Sequence, residues 1–380
     1  MGKKIALFID GTANSPDADY PTNVEKLHAA ADEKAGPYSM YGNVPVAKPG
    51  SPQVAHYMRG VGTGGKFDQF FGGVFGFGSA EKIREAYLFL AKNYTPGDQV
   101  YLFGFSRGAF AARAMANFVG IVGLAYAEDA NPDSVARAYE LYEHGVKGGL
   151  TYQRLEIAPQ EPIPIHLIGL WDTVAAQGFQ AAGSNVWNRH HIHPMLPGHI
   201  SHARHALALH DLRPEFEPTL WEEWESYQSM EQVWFAGAHS DVGGSYPNTQ
   251  LSDVPLAWMA RESKDLGLLF SPLLPQQQAW NGKVHYAEMV RSLEVRKALR
   301  EWNSPSKSRL RESYSFHASA ARQLANPAGT RFRFDEGSKP KMNQQQQTAA
   351  FQHFEHLLDR ADQFALDLLL SLPATRPLVA

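Results

Sequence analysis

Gln99-Val100-Tyr101-Leu102-Phe103-Gly104-Phe105-Ser106-Arg107-Gly108-Ala109-Phe110-Ala111-Ala112-Arg113-Ala114-Met115-Ala116 is the stretch whose reading decides the fold. An apolar run from Gln99 reads as a strand, and the Ala-rich run from Ala109 to Ala116 reads as a helix. Between them stands Gly104-Phe105-Ser106-Arg107-Gly108, a Gly-x-Ser-x-Gly turn that holds a serine in a strained backbone conformation and needs small neighbours to do so. The pentapeptide alone is weak. Strand, turn and helix together make Ser106 a candidate nucleophile.

Outward from this turn, strand-like runs alternate with helical periods: strands at Lys4 to Ile9, Val54 to Val61, Gln99 to Phe105, Ile163 to Trp171 and Gln232 to Gly237. Ala80 to Asn93 carries a helical stripe (Ile83, Ala86, Tyr87, Leu90, Ala91) that stops at Pro96-Gly97, and Asp133 to Lys147 and Pro255 to Leu266 also read as helices. Such alternation predicts an α/β chain with a mainly parallel sheet covered by helices on both faces. The expected organisation is a catalytic domain over residues 1–260, with a cap insertion near 125–160, and a mostly helical C-terminal extension over 261–380. In that extension Gln276 to Pro340 shows no sustained period, whereas Ala349 to Leu372 is amphipathic. Its acidic polar face (Glu355, Asp359, Asp362, Asp367) favours docking on the protein body over a membrane surface.

Composition removes several classes. Hydrophobic residues make up 44% and charged residues 19%, enough for a sizeable core, and the net charge of −4 without a Lys/Arg block leaves no footprint for nucleic acid. There is no cysteine, hence no disulfide, thiolate metal site or cysteine nucleophile. The apolar start Ile5 to Ile9 ends at Asp10, too short for a signal peptide, and Ala6 breaks the myristoylation pattern. The Gly-rich Gly60 to Gly78 segment has neither dinucleotide-fingerprint spacing nor a Gly-Lys-Ser/Thr phosphate loop. Its Phe67, Phe70, Phe71 and Phe75 are candidate acyl-contact residues of a lid, or simply pack a loop onto the core. No cofactor is expected.

A serine hydroxyl needs a base within hydrogen-bond reach and a third group to orient that base. The strand ending Leu170-Trp171 delivers Asp172, and the strand ending Phe235-Ala236-Gly237-Ala238 delivers His239, the order Ser, acid, His of an α/β-hydrolase-like chain. Asp172 could instead be a turn residue and His239 a structural histidine. A second mechanism uses a serine–aspartate dyad of the patatin-like kind, with Asp241 in Asp241-Val242-Gly243-Gly244 as the partner. Asp10-Gly11-Thr12 resembles a haloacid-dehalogenase phosphatase start, but the nucleophile position two residues earlier is Phe8. Its better role is an oxyanion hole, with N–H groups of Gly11 or Thr12 joining that of Arg107 and Asp10 in support; the alternative is a tight turn. The chain has 16 histidines, of which His190, His191, His193, His199, His202, His205 and His210 crowd one region, but without metal-ligand spacing, so no metal is expected. His205 to His210 reads as part of a helix with a polar face.

These pieces together resemble the α/β-hydrolase family whose best-known members are the first class of type VI secretion phospholipase effectors. The resemblance covers about residues 3–260. It rests on Phe8-Ile9-Asp10-Gly11-Thr12-x-Asn14, Thr22-Asn23-Val24, Gly60-Val61-Gly62-Thr63-Gly64, Tyr94-x-Pro96-Gly97-Asp98, the Ser106 turn, Leu170 to Val174, His205-Ala206-Leu207-Ala208 and Trp234 to Gly244. It implies a serine ester hydrolase, with Ser106 as nucleophile, Asp172 as orienting acid and His239 as base, cleaving glycerophospholipid or another lipid ester through an acyl-enzyme. It further implies transient contact with a membrane surface, a secretion-machinery or immunity partner, and a soluble protein made in the cytoplasm and exported without a signal peptide. The rival reading is a hydrolase fold kept as a non-catalytic interaction module.

Overall fold

The computed structural model describes residues 2–11, 20–60, 77–147, 156, 162–174, 194–208, 211, 216, 218–271 and 315–316. In chain order its strands are β1 (Lys4–Ile9), β2 (Tyr38–Tyr41), β3 (Val44–Ala47), β4 (Gln53–Met58), β5 (Gln99–Phe105), β6 (Ile165–Trp171), β7 (Ile200–Ala208), β8 (Ser229–Phe235) and β9 (Ser315–Phe316). The helices are α1 (Asn23–Asp32), α2 (Phe77–Asn93), α3 (Arg107–Val122), α4 (Pro132–Lys147), α5 (His239–Gly243) and α6 (Asp253–Asp265).

Seven strands form one sheet in the order β4-β1-β5-β6-β7-β8-β9, and every neighbouring pair is parallel. A parallel sheet must be covered on both faces, and here it is. On one face α2, α3 and α4 pack Leu90, Phe118 and Tyr142 against Ile5, Leu102 and Ile168. On the other, α1 and α6 pack Leu27 and Met259 against Phe8, Phe103 and Leu167. The expected α/β-hydrolase-like sandwich is what the chain forms.

The strand order reverses at β1. The chain steps from β1 outward to β4, returns through α2 and enters the sheet on the other side of β1 as β5. Ligands of open α/β sheets bind in the crevice that such a reversal leaves at the strands' carboxyl ends. Asp10 and Gly11 follow β1 there, and Ser106 follows β5.

Some expectations are corrected. His205 lies in strand β7, not in a helix. An inner parallel strand is buried on both faces, so it carries no alternating pattern, and sheet pairing overrides the helix propensity of its alanines. The hairpin of β2 and β3 and helix α1 had no strong signal. The last strand, Ser315–Phe316, comes from the stretch that lacks any sustained period, and it pairs with Val233 and Trp234 of β8. The amphipathic segment 349–372 and the Phe-rich loop, with Phe67, Phe70, Phe71 and Phe75, lie outside the described residues. Among the described residues no helix is long and apolar enough to cross a membrane.

Candidate active site

Ser106 has φ 58° and ψ −121°, a conformation that L-residues adopt rarely, and it stands half-buried between β5 and α3. Both flanking glycines are needed for close approach. A Cβ on Gly104 would fall 2.4 Å from the Gly108 carbonyl oxygen, and one on Gly108 would fall 2.1 Å from that of Ile9. The Ser106 amide donates to the Trp171 carbonyl at 3.0 Å, so the nucleophile turn is stitched to the residue before Asp172. The turn is therefore a nucleophile elbow in geometry as well as in sequence.

Asp172 also has a positive φ, 40°, and is almost fully buried. Its amide donates to Ala206 O at 2.7 Å, and its Oδ1 accepts from the Ala208 amide at 3.0 Å. Its Oδ2 accepts from His239 Nδ1 at 2.7 Å. Burial raises the Asp172 carboxyl above its usual range, while the hydrogen bond and charge of His239 pull the other way. His239 opens the short helix α5, and its amide donates to Asp211 Oδ2 at 3.1 Å. Its ring lies 4.6 Å from that of Phe105 and 4.7 Å, edge-on, from that of Phe216. The two aromatic rings limit how far the imidazole can turn away from Asp172.

Asp241 is buried in the same short helix, where its Oδ2 accepts from the Ala238 amide at 3.0 Å. Asp10 caps a different cluster, accepting from Gly11 N–H at 2.8 Å, Thr22 Oγ1 at 2.5 Å and the Tyr57 hydroxyl at 2.7 Å. Burial raises Asp10 to about 6 against the lowering effect of these three donors. Gly11 sits beside Ser106: a Cβ there would lie 3.2 Å from Ser106 Cβ. Its N–H, however, is engaged by Asp10, and Thr12 lies outside the described residues. The Arg107 amide heads α3 directly after the serine.

Sequence reasoning brought out Ser106, Asp172 and His239, which follow the carboxyl ends of β5, β6 and β8, with β7 lying between the last two strands. It did not assign work to Thr22, Tyr57, His205 or the Ala208 amide, which hold Asp10 and the Asp172 turn. Three of these lay in plain sight within Thr22-Asn23-Val24 and His205-Ala206-Leu207-Ala208. Of the histidine-rich region, His190, His191, His193 and His210 lie outside the described residues. His199 bonds the Ala116 carbonyl and His205 the Thr173 amide. Among the described residues no group of three or more His, Asp and Glu side chains could hold a metal ion.

A serine on a strained elbow near the reversal point of a parallel sheet, its amide bonded to the strand end before Asp172, belongs to the α/β-hydrolase-like fold. Within that class the chain belongs to the family described as "T6SS, Phospholipase effector Tle1-like, catalytic domain", whose model matches residues 3–262. A curated relative, "Uncharacterized protein YEL023C" of Saccharomyces cerevisiae, is 28% identical over 244 residues, 57% of this chain and 32% of the relative. The chain thus spans about a third of that protein's length. Two solved structures are similar in part. An uncharacterized protein from Pseudomonas aeruginosa has 18% identity and a TM-score of 0.44, with 100% of this chain and 60% of that one covered. The Tle1 effector bound to the VgrG spike of the type 6 secretion system has 21% identity and a TM-score of 0.36, with 64% and 51% covered.

Proposed function

We propose that this chain is a phospholipase or lipase that cleaves carboxylic esters through a Ser106–His239–Asp172 triad and an acyl-enzyme. The observation that carries the reading is the 2.7 Å bond between His239 Nδ1 and Asp172 Oδ2, with the His239 ring 4.6 Å from that of Phe105, the residue before a serine held at φ 58°. In this mechanism Asp172 keeps the proton on Nδ1, which leaves the Nε2 lone pair free to accept the Ser106 proton as Oγ attacks the ester carbonyl. The tetrahedral intermediate places its oxyanion at the N-terminus of α3, where the Arg107 amide and the helix dipole favour negative charge. His239 then returns the proton to the leaving alcohol, and water repeats the sequence on the acyl-enzyme.

Family membership supports a phospholipid as the ester and a type VI secretion effector as the biological role, with the secretion machinery and an immunity protein as partners. Phe67, Phe70, Phe71 and Phe75 are the proposed acyl contacts. The test is hydrolysis of phosphatidylcholine, phosphatidylethanolamine and phosphatidylglycerol vesicles with product identification, alongside fluorophosphonate labelling. Wild type should release fatty acid and be labelled, and Ser106→Ala should do neither while staying folded. A wild-type protein that is neither labelled nor active on any ester would favour the non-catalytic module.

A further inference from the structure

The acid turn has a second histidine beneath it. Asp172 sits at φ 40°, and the next amide, that of the fully buried Thr173, donates to His205 Nε2 at 3.1 Å. His205 lies on β7, in register with Leu170 of β6 on one side and Gln232 of β8 on the other, with no solvent exposure. Three residues of β7 thus serve one turn: His205 takes the Thr173 N–H, Ala206 O takes the Asp172 N–H, and the Ala208 N–H holds Asp172 Oδ1. The His205 ring meets Trp221 edge-on at 5.6 Å, and the Arg113 guanidinium of α3 covers the Trp221 ring at 4.6 Å. Arg113 also donates to the carbonyls of Thr219 and Leu220, while the Thr219 amide donates to Thr173 O at 2.8 Å. Thr173 is therefore held at both its N–H and its carbonyl.

An amide N–H buried at this depth must find an acceptor, and an imidazole nitrogen accepts only when it carries no proton. We infer that His205 is a positioning residue for the proposed triad: its unprotonated Nε2 fixes the Thr173 amide, and through it the backbone angle that aims the Asp172 carboxylate at His239. The surroundings suit that protonation state, since burial first and the Arg113 charge second push His205 down to about 3 against the opposing pull of a hydrogen bond to Gln232. Asp211 faces Asp172 and the His239 amide. His205 touches no reacting atom. Its work is to keep a strained turn in the one conformation where the acid and the base meet.

This rests on the triad reading, and the experiment separates the two. Wild type, His205→Gln and His205→Leu are compared on p-nitrophenyl butyrate, with the reactive serine titrated by a fluorophosphonate. Glutamine Oε1 reaches about as far as histidine Nε2 and can accept the Thr173 N–H; leucine cannot. The expected result is that His205→Leu lowers kcat per titrated serine about 10- to 100-fold with KM changed less than about threefold, and that His205→Gln recovers most of the loss. A residue that only supported the fold would lower the titratable fraction and leave kcat per serine unchanged, and that outcome would overturn the inference. Should the leucine variant not fold, nitrogen NMR of wild type labelled at histidine decides. A neutral Nδ1–H tautomer that persists at pH 5 supports the role; an Nε2–H tautomer, or protonation between pH 6 and 7, defeats it. Wild type that titrates with no fluorophosphonate takes the triad down first, and this inference with it.

Discussion

Replacing Asp172 by asparagine separates chemistry from stability more sharply than any other single change. Asparagine keeps the shape, and its Oδ1 can still accept from the Ala208 amide, a bond of 3.0 Å in the native chain. At the Oδ2 position, 2.7 Å from His239 Nδ1, it places an NH2 donor where the aspartate offers an acceptor. Two donors cannot share that line, so the imidazole must move its proton to Nε2, and on the triad reading it then meets Ser106 with an N–H instead of a lone pair. In serine hydrolases that lose the acid in this way kcat falls by about 10⁴, or roughly 5 kcal/mol of barrier at 1.36 kcal/mol per decade. Stability should move the other way, because burial already penalises the charged carboxylate and asparagine removes that cost. Asp172→Asn should therefore lose at least about 10³-fold in kcat/KM at pH 8 while its Tm stays equal or rises. Initial rates on a soluble ester and thermal unfolding of the same preparation check both halves. Activity within tenfold of wild type would refute the orienting role, and the serine–aspartate dyad would gain ground if Asp241→Asn proved inactive in the same assay.

On the triad reading, Asp241→Asn itself should cost less than about tenfold, since Asp241 accepts the Ala238 amide at 3.0 Å and an asparagine oxygen can do the same. Gly108→Ala should destabilise by about 3 kcal/mol or more and abolish fluorophosphonate labelling, because the new Cβ would lie 2.1 Å from the Ile9 carbonyl oxygen; denaturant unfolding and labelling test it. Asp10 is raised from 3.8 to about 6, so between those values the folded chain holds a proton that the unfolded chain has released. Its contribution to stability accordingly rises as pH falls from about 7 to about 4, and the buried charge costs up to about 3 kcal/mol above that window. The stability difference between Asp10→Asn and wild type, measured by urea unfolding, should favour the variant most at pH 8 and shrink towards pH 4. A difference independent of pH would show that Asp10 titrates normally.

The parallel sandwich and the strained turn at Ser106 were legible because each leaves a local mark. An elbow demands glycines two residues either side of the serine, and parallel strands demand apolar runs bounded by turns. Asp172 and His239 follow such runs directly. His205 was misread as helical because a strand buried on both faces keeps no period of two, and its Ala-rich sequence favours a helix when taken alone.

The sequence by itself determined the α/β class and marked Ser106, with Asp172 and His239 behind it, as candidates for the proposed triad. Steric demand and burial act on adjacent residues, so they are written locally. Only the tertiary structure decided which groups hold those residues. Thr22 and Tyr57 meet on Asp10 from 12 and 47 residues away, and His205 meets Thr173 from 32. It also shows the Gly11 amide turned to Asp10 and Asp241 to the Ala238 amide. A hydrogen-bond partner is chosen by which buried donor the closed sheet brings within about 3 Å, and spacing along the chain carries no trace of that choice.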